Sequence, residues 1–139
     1  MILRKYNIFK QEKIESVKAI FIIYIISFLI GTSTHIIDII NFGFLGYETN
    51  EIINIYWTSL VFLDPIAILL LITLPFLGLI ISTFIMITDV GINLSISIYY
   101  LIKYDNKISY KIYLQVVFLI FLLFTIGYCW EKIKENIEK

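Results

Sequence analysis

The chain has 139 residues, of which 60% are hydrophobic and 16% charged, whereas soluble domains average roughly 45 to 50% apolar and about 25% charged residues. Because so few polar side chains cannot cover a water-facing surface, the composition excludes a soluble monomer. Eleven basic and eleven acidic residues cancel, and the absence of a basic reading face argues against nucleic acid as a partner. One cysteine excludes an internal disulfide and a thiolate metal cluster.

Four long apolar runs follow one another along the chain, at residues 19–40, 52–74, 76–102 and 112–130. A helix needs roughly 20 residues to cross a hydrocarbon core about 30 Å thick, and each run meets that length. The runs lack the alternation of barrel strands, and lipid-exposed backbone must bond within its own helix. The sequence therefore predicts an all-α fold, an integral membrane four-helix transmembrane bundle.

The runs divide the chain into a basic N-terminal segment (1–18), a transmembrane domain (19–130) and a short tail (131–139). A cleaved signal peptide is the alternative for the first run, but signal cores span only roughly 7 to 15 residues. Only a few residues around Leu74 and Pro75 separate the second run from the third. We expect these two helices to form an antiparallel hairpin.

The distribution of basic residues predicts the orientation. Lysine and arginine are concentrated in segments 1–18 and 131–139, while the first loop carries Glu48 and Glu51 and no basic residue. The positive-inside rule then places both termini in the cytoplasm. Isoleucine is abundant and alanine rare, which is typical of an AT-rich bacterial genome. We expect a multi-pass protein of the cell inner (cytoplasmic) membrane.

Polar residues within the apolar runs mark a candidate site. A carboxylate at the centre of a membrane helix costs about 2.5 to 3.5 kcal/mol on insertion scales. Each one therefore requires a hydrogen-bonding or charged partner, a bound proton, or a functional role that accounts for the cost. At 100° per residue the polar residues of each of the first three runs fall on one helix face. These residues are His35 and Asp38 in the first run, Trp57 and Asp64 in the second, and Ser82, Asp89 and Asn93 in the third.

The rise of 1.5 Å per residue gives each of these groups a depth. Asp38 and His35 lie near the predicted outer end, Asn93 lies deeper, and Asp64 and Asp89 come close to the midplane. The sequence therefore predicts an outward-opening pocket with a deep acidic pair. Two like charges in a low dielectric cannot both ionise, so we expect the pair to share one proton.

Such a pocket suits proton handling, a small amphiphilic or cationic ligand, or a hard cation held by His and carboxylate oxygens. His35 would exchange the proton with the outside or gate the pocket, and Asn93 and Ser82 would orient the site. The fourth run carries only Gln115 and Thr125 as strongly polar residues, which predicts a packing helix. We find no motif for a zinc protease, a redox pair, an acyl-transfer serine or a phosphate loop, and therefore predict no cofactor and no dedicated metal site.

Structural roles are the alternative for the same residues. Asp64 directly precedes Pro65 and would accept hydrogen bonds where the proline disrupts the helix. Asp89 with Asn93 would form an interhelical clasp of the kind that holds membrane bundles together. Tyrosine and tryptophan residues near the ends of the runs are typical of an interfacial aromatic belt.

Three runs carry a family resemblance, namely residues 34–38 (THIID), 56–65 (YWTSLVFLDP) and 85–93 (IMITDVGIN). On these runs the chain resembles a group of small, uncharacterised bacterial four-span membrane proteins. It is also similar to the emopamil-binding and sigma-2 receptor (EXPERA) superfamily, whose intramembrane acids and histidine bind cationic amphiphiles or isomerise sterols. That similarity implies that His35, Asp38 and Asp64 serve as intramembrane acid and cation partner, and Trp57 as an aromatic wall.

Three functions are compatible with these features of the sequence. The first is a membrane protein whose acidic and histidine pocket binds a small amphiphilic or cationic ligand or passes protons. The second is a membrane lipid or sterol isomerase that uses one protonated Asp as general acid. The third is an accessory subunit whose polar residues are structural. The expected partners are membrane lipids, a small amphiphilic ligand, and a second copy or a membrane-complex subunit.

Overall fold

Four long helices account for almost all of the structure, a computed structural model that describes residues 2, 6–11, 14–105 and 107–138. The helices are α1 (Glu15–Phe42), α2 (Glu51–Thr73), α3 (Pro75–Tyr104) and α4 (Tyr110–Ile137). Each is long and apolar enough to cross a membrane, and the described residues form no strand. The predicted all-α four-helix bundle is confirmed.

The helices extend beyond the apolar runs. Helix α1 begins at Glu15 rather than at residue 19, and α4 continues to Ile137 past residue 130. Hydropathy marks the stretch that prefers lipid, whereas backbone hydrogen bonding continues until a capping group or an unfavourable backbone angle ends it. At the start of α2 the Asn50 side chain accepts a hydrogen bond from the Ile53 N–H at 3.0 Å, which fixes the helix end close to the predicted one.

Helices α2 and α3 form a close antiparallel pair. Leu74 alone separates them, and Pro75 is the first residue of α3, where a missing N–H costs nothing. Next to this turn, a Cβ atom on Gly78 would lie 2.5 Å from the backbone N of Leu71, so only glycine permits the approach. Near the other end of the pair, the Tyr56 hydroxyl lies 2.6 Å from the Thr88 hydroxyl. The two helices are therefore joined at both ends.

The remaining packing follows chain order, with α1 on α2, α3 on α4, and a smaller contact between α1 and α4. Aromatic rings fill the contact between α1 and α4. Tyr24 is fully buried and meets Phe118 and Phe121 edge to face at 5.9 and 6.0 Å between centroids. Its hydroxyl lies 2.6 Å from that of Thr125, so its one polar atom is bonded inside the bundle.

The N-terminal segment covers the end of the bundle where α2 turns into α3. Ile8 is fully buried, in a short 3₁₀ turn over Ile8–Lys10. The Tyr6 N–H donates to the Thr73 carbonyl at 3.2 Å, and the Tyr6 hydroxyl donates to Asn136 Oδ1 at 2.5 Å. This end of the bundle is consequently packed shut.

Large apolar side chains cover the outside of the bundle. Phe124 of α4 is 84% exposed, and many isoleucine, leucine and phenylalanine side chains on all four helices are also exposed. In water such a surface would drive aggregation, while in a bilayer it faces lipid tails. The polar residues of the apolar runs, by contrast, include Asp64 and Asp89, which are 5% and 6% exposed.

The approach at Gly78 generates a first prediction. Gly78→Ala would force α2 and α3 apart beside a turn of a single residue, which cannot lengthen to accommodate the change. We expect the free energy of unfolding to fall by about 1 to 3 kcal/mol. The matched control is Gly127→Ala, because a Cβ atom there meets nothing within 4 Å. Thermal unfolding followed by size-exclusion chromatography in detergent measures both variants. Equal unfolding temperatures for the two would refute the close packing.

Candidate functional site

A cavity of about 230 Å³ opens at the end of the bundle opposite the α2–α3 turn. All four helices contribute to it, together with the loop between α1 and α2 and the residue that caps α4. Most of its lining residues carry a polar group, although the helices around it are otherwise apolar. The lining residues are Thr34, His35, Asp38, Tyr47, Trp57, Asn93, Ser109, Lys111, Ile112 and Gln115.

The predicted site residues divide into two groups. His35, Asp38, Trp57 and Asn93 line the cavity. Asp64, Asp89 and Ser82 do not line it and are buried within the bundle. The structure thus brings the shallow predicted residues together at one opening and places the deep ones in the packed interior.

Tyr47 enters the cavity from the loop that joins α1 to α2. The loop leaves α1 at Gly43, whose φ of 89° is unfavourable for residues with a side chain. Asn54 then holds the loop from α2, since its Nδ2 donates to the Leu45 carbonyl at 2.6 Å and its Oδ1 accepts from the Tyr47 N–H at 3.3 Å. This pair of bonds fixes the position of the Tyr47 backbone.

The Tyr47 side chain connects three of the predicted site residues. Its hydroxyl donates to Asp38 Oδ2 at 3.2 Å and lies 3.5 Å from His35 Nδ1. Because its one proton goes to Asp38, the hydroxyl would act as the acceptor toward a protonated His35 Nδ1. Its ring meets Trp57 edge to face at 5.2 Å between centroids. Burial and the neighbouring Asp38 carboxylate raise the pKa of Tyr47 well above its usual value, so the hydroxyl remains a donor.

Asp89 is bonded to the two amide side chains at the base of the cavity. Its Oδ1 accepts from Asn93 Nδ2 and its Oδ2 from Gln115 Nε2, both at 2.9 Å. Asn93 also donates to Gln115 Oε1 at 3.3 Å. The three side chains form a closed set of hydrogen bonds that joins α3 to α4. We call this set the amide clasp.

Asp64 faces a different neighbour. A Cβ atom on Gly31 of α1 would lie 2.6 Å from Asp64 Oδ2, so the carboxylate occupies the space that the glycine leaves free. Within the described ranges Asp64 has no hydrogen bond and no ion pair. The two deep carboxylates are therefore directed at different helices, Asp64 at α1 and Asp89 at α4, and no hydrogen bond joins them.

Three buried polar atoms lack a hydrogen-bond partner among the described residues: Trp57 Nε1, Thr58 Oγ1 and Ser82 Oγ. An unbonded buried polar group costs about 1 to 3 kcal/mol, so its presence calls for an explanation. Trp57 is the one of the three that borders the cavity. Its indole nitrogen is itself buried and has no hydrogen-bond partner among the described residues.

The cavity also contains two charges of opposite sign that are not paired. Asp38 lies on α1 and Lys111 on α4, and neither forms an ion pair with any residue that the structure describes. Among the same residues no group of three His, Cys, Asp or Glu side chains is arranged to hold a metal ion.

Among the lining residues that sequence reasoning missed are Tyr47, Lys111 and Gln115. Tyr47 lies in a loop, whose path helix periodicity does not describe. Lys111 lies in the first turn of α4, just before the apolar run, and a lysine there carries no signal of a site. Gln115 was assigned to packing, although a glutamine inside an apolar run carries the same signal as Asn93: a polar group in lipid requires a partner.

The contact between Asp64 and Gly31 can be tested by a double-mutant cycle. Gly31→Ala should destabilise the bundle, because its methyl group would overlap the carboxylate. Asp64→Ala removes that oxygen, so the double variant should be more stable than Gly31→Ala alone. Thermal unfolding in detergent measures the coupling. Additive effects of the two changes would show that a methyl group at position 31 and the Asp64 carboxylate do not compete for this space.

The chain matches no known family model, no curated protein and no solved structure. Its function must therefore be argued from its own residues. Four helices that are long and apolar enough to cross a bilayer, with apolar side chains outside and carboxylates inside, identify it as a multi-pass membrane protein.

Proposed function

We propose that this protein binds a small amphiphilic cation, whose head group enters the cavity between the ends of the helices. The observation that carries this proposal is the position of the Asp38 carboxylate beside the rings of Tyr47 and Trp57 in one cavity. A carboxylate attracts a cation, and electron-rich ring faces add cation–π attraction. With the orientation that the positive-inside rule predicts, the cavity opens outward from the cell inner membrane.

The size of the cavity supports a head group rather than a whole ligand. Pockets that enclose drug-sized molecules occupy roughly 300 to 1,000 Å³, and this cavity measures about 230 Å³. Ile112 supplies an apolar side to the lining, and the helices around it are covered with exposed apolar side chains. An amphiphile would place its charged end inside and its chain among the lipids.

Binding has more support than proton passage. A proton path needs polar groups from one side of the membrane to the other, and the interior beyond Asp64 is largely apolar. Leu71, Phe76 and Leu79 are fully buried there, and Ile8 closes the end of the bundle. The polar groups of the cavity thus have access from one end.

The two alternatives from the sequence have less support. An isomerase would enclose the reacting part of a lipid, for which this cavity is small. An accessory subunit would present its polar residues to helices of a partner. Asp89 is instead bonded to Asn93 and Gln115 within the chain, and Asp64 is 5% exposed. Both acids face the interior of the bundle.

The orientation is tested by cysteine labelling in a Cys129→Ser background. A membrane-impermeant maleimide should label Glu48→Cys and Lys107→Cys in intact cells, because both positions are exposed and lie at the cavity end. Glu138→Cys should react only after the cells are opened. The reverse pattern would place the cavity on the cytoplasmic side and overturn outward access.

Binding is tested with dodecyltrimethylammonium as the probe and the fluorescence of Trp57 as the signal. Trp130 is replaced by Phe so that Trp57 is the single tryptophan, and the protein is held in dodecylmaltoside micelles, which carry no charge. Asp38→Asn should weaken binding about tenfold, or 1.4 kcal/mol, because the carboxylate that attracts the cation is lost.

Glu48→Gln is the matched control. It removes a carboxylate from the same loop region without touching the cavity lining, and its affinity should equal that of the parent protein. Saturable binding that depends on Asp38 alone supports the proposal. A probe signal that does not saturate, or that falls equally in both variants, contradicts it.

A further inference from the structure

We infer that the ligand is a zwitterion, with an anionic group close to its cationic group, and that Lys111 selects for the anionic part. This inference rests on the proposed function and specifies its ligand class. It starts from the two unpaired charges of the cavity, Asp38 and Lys111.

The two charges lie in one cavity but on different helices. Asp38 comes from α1 and Lys111 from α4. They form no ion pair in the described part of the chain, so their charged atoms are more than 4.0 Å apart. Both line the same cavity, so a bound group with two opposite charges has a partner for each in the lining.

A purely cationic ligand would leave half of this site unused. It would neutralise Asp38 and bring a second positive charge close to Lys111, and like charges brought together in a partly desolvated site repel. A purely anionic ligand would have the same difficulty with Asp38. A zwitterion satisfies both walls, because its ammonium group faces Asp38 and its anionic group faces Lys111.

Lys111 supplies the hydrogen-bond donors for the anion. Its ammonium group has three N–H donors, the residue is exposed at the cavity, and it forms no ion pair with any residue that the structure describes. An anionic oxygen of the ligand, such as that of a phosphate or a carboxylate, would accept from it.

The amide side chains at the base of the cavity do not compete with Asp38 and Lys111 for the charged groups of the ligand. Asn93 and Gln115 use their amide groups on each other and on Asp89. The Asp38 carboxylate accepts one bond from Tyr47 and keeps free lone pairs for an ammonium group. The lining therefore has one cation-accepting side and one anion-accepting side.

The test compares two probes that share one chain and one quaternary ammonium group. Dodecyltrimethylammonium carries the cation alone, and dodecylphosphocholine adds a phosphate. In the single-tryptophan protein we expect the phosphocholine probe to bind about tenfold more tightly. Lys111→Gln should abolish this preference while binding of dodecyltrimethylammonium stays the same or improves, because a repelling charge is removed.

Lys107→Gln is the matched control, since Lys107 lies in the same loop region, is exposed and does not line the cavity. It should leave both affinities unchanged. Equal affinity of the two probes for the parent protein, or an equal loss for both in Lys111→Gln, would overturn the inference. Such a result would leave the proposed cation site intact, whereas failure of dodecyltrimethylammonium itself to bind would remove that site as well.

A second comparison identifies the source of the zwitterion. Free phosphocholine is the soluble head group of the same probe. Competition by free phosphocholine at concentrations near those of dodecylphosphocholine supports a soluble zwitterion, and a requirement for the chain supports a lipid. If Lys111→Gln and Asp38→Asn each lower the unfolding temperature without ligand, and the double variant loses no more than either, the two residues form an internal ion pair and the inference is wrong.

Discussion

The hydrogen bonds that Asp89 accepts from Asn93 and Gln115 hold the polar end of this bundle together. Lipid offers no hydrogen-bond donor, so the Asp89 carboxylate depends on donors from within the protein. The amide clasp meets that requirement and at the same time fixes α4 against α3. The position of the cavity base, and of Lys111 one turn before Gln115 on α4, depends on this contact.

The bundle is chemically asymmetric along its length. At one end four helices diverge around a polar cavity, and at the other the N-terminal segment packs Ile8 beneath the turn between α2 and α3. Between the two ends lie aromatic and aliphatic contacts such as those of Tyr24 with Phe118 and Phe121. An arrangement of this kind is suited to holding a molecule at one membrane face.

The sequence predicts the four helices well, because a membrane span requires a continuous apolar run and a hydrogen-bonded backbone. It also identifies which residues avoid lipid, since Asp64 and Asp89 are both buried. Depth and helix face do not determine which neighbour a side chain meets. Asp64 lies against α1 because Gly31 lacks a Cβ atom, and Asp89 is engaged by an amide of the fourth helix. The helix periodicity of the sequence predicts neither of these two contacts.

The loop residue of the site was beyond prediction for a different reason. The path of residues 43–50 depends on a positive φ at Gly43 and on two hydrogen bonds with Asn54, which donates one and accepts the other. Neither follows from an apolar pattern, and together they bring Tyr47 to Asp38, His35 and Trp57. Gln115 could have been found, because its placement in an apolar run obeys the same rule that singled out Asn93.

The one-residue connection at Leu74 restricts how this molecule is able to move. With one connecting residue and a glycine contact beside the turn, α2 and α3 cannot slide along one another and form one rigid unit. The connections at 43–50 and 105–109 are longer. Asp38 lies on α1 and Lys111 on α4, so the spacing between these opposite charges depends on how the first and fourth helices pack against that unit.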